Sequence, residues 1–75
     1  MADTTVLDVK GLGCPVPILR ANRTVKEMIP GDVLEVLSTD ADAPQDFEIF
    51  CETTGHLYQS CEKTDGVFVI RLEVI

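Results

Sequence analysis

Patterns for metal binding and for disulfides are missing from this 75-residue chain. Its three cysteines, Cys14, Cys51 and Cys61, are odd in number and form no Cys-x-x-Cys pair; the one histidine, His56, is not spaced with them as a zinc ligand. Neither a disulfide framework nor a structural metal is therefore expected, although domains this small are marginal and often use one. Basic residues are also scarce, six against thirteen acidic ones, for a net charge of −7. That balance argues against a direct nucleic-acid binder, which would normally show a basic surface. No apolar run follows Met1 and no stretch is long enough to cross a bilayer, so the expectation is a soluble, reduced, cytoplasmic protein without a membrane partner. A phosphate-cradling loop, a cofactor motif and a second nucleophile–base pair are absent as well, and no cofactor is expected. With no repeat, linker or low-complexity tract, residues 1–75 read as one domain and a monomer.

What is present centres on Gly11-Leu12-Gly13-Cys14-Pro15-Val16-Pro17-Ile18-Leu19-Arg20. An apolar-alternating segment ends at Lys10, and two glycines allow a sharp turn. Cysteine and two prolines follow, and then helical spacing begins. Proline is tolerated in a first helical turn, where its missing N–H would have had no partner. Cys14 is thereby placed at or just before a helix N-terminus, where free amides and the helix dipole favour an anion. For a cysteine that anion is the thiolate, and such sites lower a thiol pKa from about 8.5 to roughly 3.5–7.5. Four of the six cations, Lys10, Arg20, Arg23 and Lys26, fall between positions 10 and 26. They form either a solvated helix face or a cationic field near Cys14 that docks acidic partners and steadies an anionic sulfur.

The pattern of elements is β-α-β-α-β-β. Thr4 to Lys10 reads as a strand. Pro15 to Ile29 reads as a helix, with Ile18, Ala21, Asn22, Val25, Met28 and Ile29 at helical spacing. Val33 to Ser38 is an interior strand. Asp42 fits as N-cap of a second helix, with Gln45 completing a capping box and Gly55 ending it. Ala43, Phe47, Phe50, Cys51 and Thr54 mark its buried stripe. His56–Lys63 and Val67–Ile75 pair through an Asp65-Gly66 turn. Right-handed crossovers put both helices on one face of a mixed four-stranded sheet, an α+β two-layer sandwich.

Leu7-Asp8-Val9-Lys10-Gly11-Leu12-Gly13-Cys14-Pro15-Val16-Pro17 resembles the motif of the TusA/SirA family of small sulfur carriers, in which Cys-Pro-x-Pro opens the first helix. Pro30-Gly31-Asp32 and Thr39-Asp40 fit as well, so the likeness runs along essentially the whole chain. The resemblance implies the same fold, with the last strand antiparallel between the second and third. It implies a persulfide carried on Cys14, with Gly13, Pro15 and Pro17 in its loop, and the charge pattern makes Lys10, Arg20, Arg23 and Lys26 the expected docking cations. The resemblance also implies a relay role rather than stand-alone turnover: a cysteine desulfurase or rhodanese as sulfur donor, and acceptor proteins in transfer RNA thiolation or cytoplasmic sulfur oxidation. Val16 departs from the Glu often found between the two prolines, and Gly13 from a basic residue; both bear on partner choice.

Other candidates read more plainly. Cys51 belongs to the core. Cys61 shares a strand face with Leu57 and Gln59, has a structural role, and would resolve a disulfide with Cys14 only within about 7 Å. His56 lies at the surface. Asp8, Asp40 and Asp42 border the Cys14 loop, to orient it or to cap helices. The alternatives to a carrier are a thiol redox-regulatory module, with Cys61 as resolving cysteine, and a pure protein-interaction module in which Cys14 is incidental.

Overall fold

The computed structural model describes residues 3–75. Its elements are β1 (Thr4–Asp8), α1 (Val16–Val25), β2 (Val33–Ser38), α2 (Ala43–Thr54), β3 (Leu57–Thr64) and β4 (Val67–Glu73). The strands lie in the order β1-β2-β4-β3, with β1 parallel to β2 and β4 antiparallel to both its neighbours. The last strand thus lies inside a mixed sheet, antiparallel between the second and third, as the resemblance implies.

One layer of apolar side chains joins sheet to helices. Leu34, Val36, Ile70 and Leu72 point from the two central strands to the helix side and are fully covered. Onto them α1 lays Pro17, Ala21 and Val25, and α2 lays Ala43, Phe47, Phe50 and Cys51. The period of 3.6 on the helices and 2 on the strands is thus satisfied against a single core. Phe47, with no exposed surface, is its largest member. The hairpin turn places Asp65 and Gly66 at φ 51° and 79°, as a two-residue primed turn requires.

Four expectations need correction. First, β1 ends at Asp8, although the Val9 N–H still donates to the Leu37 carbonyl at 2.9 Å. Second, α1 ends at Val25 rather than Ile29. Beyond it the Glu27 and Met28 amides bond three residues back, to Thr24 and Val25, and the Ile29 N–H donates to Asp32 Oδ2 at 3.3 Å. The 7%-exposed carboxylate of Asp32 also accepts the Asp3 N–H, so it draws the chain out of the helix, and Ile29 ends 57% exposed. Third, Asp42 is the N-cap of α2 but makes no side-chain cap bond, so the Gln45 capping box does not form. Its own N–H donates to Asp40 Oδ1 instead. Fourth, a bulge between Tyr58 and Ser60 changes the parity of β3. Cys61 therefore pairs opposite Ile70 on the helix side with Tyr58 and Lys63, not with Leu57 and Gln59.

Candidate functional site

The parallel pair β1–β2 ends with two loops side by side, and the β1–α1 loop is tied to the β2–α2 loop by side chains. Gly11, at φ 80°, turns the chain, and its N–H donates to Thr39 Oγ1 at 2.9 Å. The Cys14 N–H donates to Asp40 Oδ2 at 3.0 Å. The other oxygen of the same carboxylate holds the Asp42 amide at 3.1 Å, and the Asp40 N–H donates to Ser38 Oγ. One aspartate therefore sets both the cysteine and the start of α2. Asp8 does less: its carboxylate accepts the Lys10 N–H and pairs with the Lys10 ammonium at 3.6 Å.

Cys14 itself is exposed and stands immediately ahead of Pro15, the N-cap of α1. It forms one end of a groove of about 440 Å³ between the facing edges of α1 and α2. Pro15, Ile18 and Asn22 line the α1 side; Asp46, Ile49 and Phe50 line the α2 side. Burial of the helical stripes leaves these edge positions to the groove. Thr54, expected in the buried stripe, is exposed at its far end, with its hydroxyl donating to the Phe50 carbonyl.

The electrostatics reverse the expectation of a depressed thiol pKa. Cys14 is pushed above its ordinary value, first by local desolvation, then by the charge of Asp46 and a hydrogen bond to it, and then by Asp40 and Asp42. The helix start offers little to oppose this. Pro15 and Pro17 have no N–H, the Val16 N–H is taken by the Gly13 carbonyl at 3.0 Å and the Cys14 amide by Asp40. Among the described residues the Ile18 N–H has no acceptor, which leaves that turn one donor. The prolines that mark the helix start also remove the donors that would have steadied a thiolate.

Of the predicted binding residues, those of the loop lie at the thiol and the cations do not. Gly13, Pro15 and Pro17 shape its loop, with Pro17 buried. Lys10 is turned to Asp8, Arg20 and Arg23 line a separate depression with Leu7 and Thr24, and Lys26 is exposed at the far end of α1. Helical geometry is the reason: positions 20 and 23 fall on the face of α1 away from positions 18 and 22. Asp46 is the neighbour that sequence reasoning missed; its signal is its place in the first turn of α2, on the edge facing α1.

The remaining thiols lie elsewhere. Cys51 is buried, and burial pushes it up to about 11. Cys61 is exposed on edge strand β3, near the Tyr58 hydroxyl. In the sheet order β3 lies three strand spacings of about 4.8 Å from β1, from whose end the Cys14 loop springs. A lateral span of that order exceeds the roughly 7 Å reach of a disulfide, which speaks against Cys61 as a resolving cysteine. His56 is half-buried: its Nδ1 accepts the Ile75 N–H and its ring lies 6.2 Å from that of Phe50. Among the described residues no cluster of side chains suits a metal ion, and no helix is long and apolar enough to cross a membrane.

The fold and the site define a small α+β sandwich that mounts an exposed cysteine at a helix entry, beside an open groove. The particular family is Sulfurtransferase TusA, to which this chain belongs, matching it over residues 5–74. The chain is 52% identical over 68 residues to a protein of Neisseria meningitidis serogroup A, covering 91% of this chain and 92% of that one. It is 42% identical over 62 residues to the sulfur carrier protein TusA of Allochromatium vinosum, covering 83% and 82%. The crystal structure of a SirA-like protein from Desulfitobacterium hafniense superposes with a TM-score of 0.81 at 28% identity, covering 91% of this chain and 93% of that one.

Proposed function

We propose that the protein is a sulfur carrier, in which Cys14 takes sulfane sulfur from a donor protein and passes it to an acceptor protein. The observation that carries this reading is the mounting of Cys14: exposed, anchored through its own amide to Asp40, and open on a groove of about 440 Å³ between the two helices. The Cys14 thiolate attacks the outer sulfur of a donor persulfide. A bond to Cys14 Sγ forms as the donor's S–S bond breaks, and the donor leaves as a thiolate. The reverse sense delivers the sulfur to an acceptor cysteine, with no net oxidation. Attack requires the thiolate, so a raised pKa keeps the free protein slow to react; as a poor leaving group Cys14 also retains sulfur until an acceptor takes it. A cysteine desulfurase or a rhodanese is the donor, and transfer RNA thiolation and sulfur oxidation are the two relays the acceptor would feed. Kinship with carriers supports this over a redox module, as does the remoteness of Cys61.

The test is intact-protein mass after incubation with inorganic polysulfide, and with a cysteine desulfurase, pyridoxal phosphate and cysteine. Wild type is expected to gain one reducible sulfur atom and Cys14→Ser none. Equal loading of both would move the site to another thiol, and no gain by either route would overturn the reading.

A further inference from the structure

The groove that begins at Cys14 differs in chemistry along its length. Between the helices it is apolar: Ile18 is half-covered, Phe50 forms a wall, and Ile49 stands 52% exposed at the rim. Around the thiol it is acidic, with Asp46 in the groove wall and Asp40 and Asp42 close enough to act on the sulfur by charge. Among the described residues no cation lines it; Arg20 and Arg23 lie at a different depression and Lys10 is paired with Asp8. An apolar trough with carboxylates at one end is complementary to a segment that is apolar at one end and cationic at the other.

Resting on the carrier reading, we infer that this groove docks the cysteine-bearing segment of the sulfur-exchange partner, and that the segment carries Lys or Arg beside its cysteine and an apolar residue beyond it. The cation meets Asp42 and Asp46, and the apolar side chain lies against Ile49 and Phe50. Seating this segment does two things at once. It brings the partner's sulfur to Cys14, and it offsets the negative charge that keeps Cys14 protonated. Exchange is therefore gated by the partner's charge as well as by its shape. In the exchange itself, the partner's thiolate attacks the outer sulfur of the Cys14 persulfide. The bond to Cys14 Sγ breaks, its electron pair stays on that sulfur, and a proton from water restores the thiol while the partner leaves as persulfide.

The test loads the whole chain at Cys14 with inorganic polysulfide, a step that needs no docked segment. Two peptides of equal length are then offered, one with Lys on both sides of its cysteine followed by Leu, the other with Glu in place of Lys. Sulfur transfer is followed by mass, and each rate is divided by that peptide's rate with free cysteine persulfide, which cancels intrinsic thiol reactivity. The basic peptide is expected to be faster by about three- to tenfold at low ionic strength, and less so at high salt. Asp42→Asn with Asp46→Asn should collapse the preference. Ile49→Ser, at an exposed position, should slow the basic peptide without changing the salt dependence. Glu62→Gln, which removes a charge on β3 away from the groove, should preserve the preference. Equal normalised rates, or loss of the preference in Glu62→Gln, would overturn the inference while leaving the carrier reading intact. Failure of Cys14 to load with polysulfide and with a cysteine desulfurase, pyridoxal phosphate and cysteine alike would overturn both.

Discussion

A thiol flanked by carboxylates ionises late, and Cys14 has Asp46, Asp40 and Asp42 at its side. Because its pKa is raised, the thiolate fraction at neutral pH is smaller than for an unperturbed cysteine and grows only as pH climbs. The alkylation rate of Cys14 by iodoacetamide, read by mass, should therefore keep rising past the ordinary thiol value of 9.0. Asp46→Asn removes the largest charge acting on the sulfur, so its inflection should move to lower pH and its rate at pH 7 to 8 should increase. An inflection that does not move would take Asp46 out of the site. The three thiols should also separate in reactivity. Cys14 and Cys61 are exposed and should label in the native protein, whereas Cys51, buried and pushed up to about 11, should label only after unfolding. Replacing it with Ser leaves a hydroxyl in an apolar core and is expected to cost about 1–3 kcal/mol in urea melts.

Elements hold this site in place through a few side chains whose removal has a definite cost. Phe47 carries α2 onto the sheet, and Phe47→Ala should lose about 3–5 kcal/mol. A chain of 75 residues has roughly 4–11 kcal/mol to lose, so this variant should give up from about a quarter of its stability to all of it, read as a lowered urea midpoint by circular dichroism. Asp40→Ala works differently. It frees the Cys14 and Asp42 amides at the surface, so stability should fall by only about 1 kcal/mol while amide exchange at Cys14 accelerates and loading by polysulfide slows. Unchanged exchange at Cys14 would mean that Asp40 does not hold the loop. These elements were legible in the sequence because periodicity and turn chemistry are local. Gly55 at the end of α2, the Asp65-Gly66 turn and the alternation Phe68, Ile70, Leu72 and Val74 each announce themselves within a few residues. What was not legible depends on partners distant in sequence. The bulge that puts Cys61 on the helix side of the sheet, the end of α1 at Val25 ahead of the Asp32 carboxylate and the choice of Asp40 over Gln45 as anchor are settled by contacts across the fold. The sign of the shift at Cys14 belongs to the same group. A helix start read in isolation promises free amides; its two prolines and the acidic first turn of α2 take that promise away.

At the scale of the whole molecule, charge is sorted by face rather than by sequence. The stretch from 10 to 26 looks like a cationic surround for the cysteine, yet coiling it into a helix sends Arg20 and Arg23 away from the groove and leaves carboxylates at the thiol. α1 thus divides an acidic, apolar-floored side from a basic one. A dipolar molecule is oriented by a partner's field before contact, and exposed charges act chiefly on encounter and register. Reversing the basic side with Arg20→Glu and Arg23→Glu should accordingly weaken binding to the sulfur donor. The effect is expected to be about fivefold to thirtyfold at low ionic strength and to shrink toward unity near molar salt, since these side chains are solvent-exposed and screened. Calorimetric titration across a salt series measures it directly. Affinity that stays the same at every salt concentration would show that donors engage only the groove and that the basic face of α1 is merely solvated. A loss that persists at high salt would instead place Arg20 and Arg23 in desolvated contact with the donor, a footprint reaching around α1 from the groove to the edge strand β1.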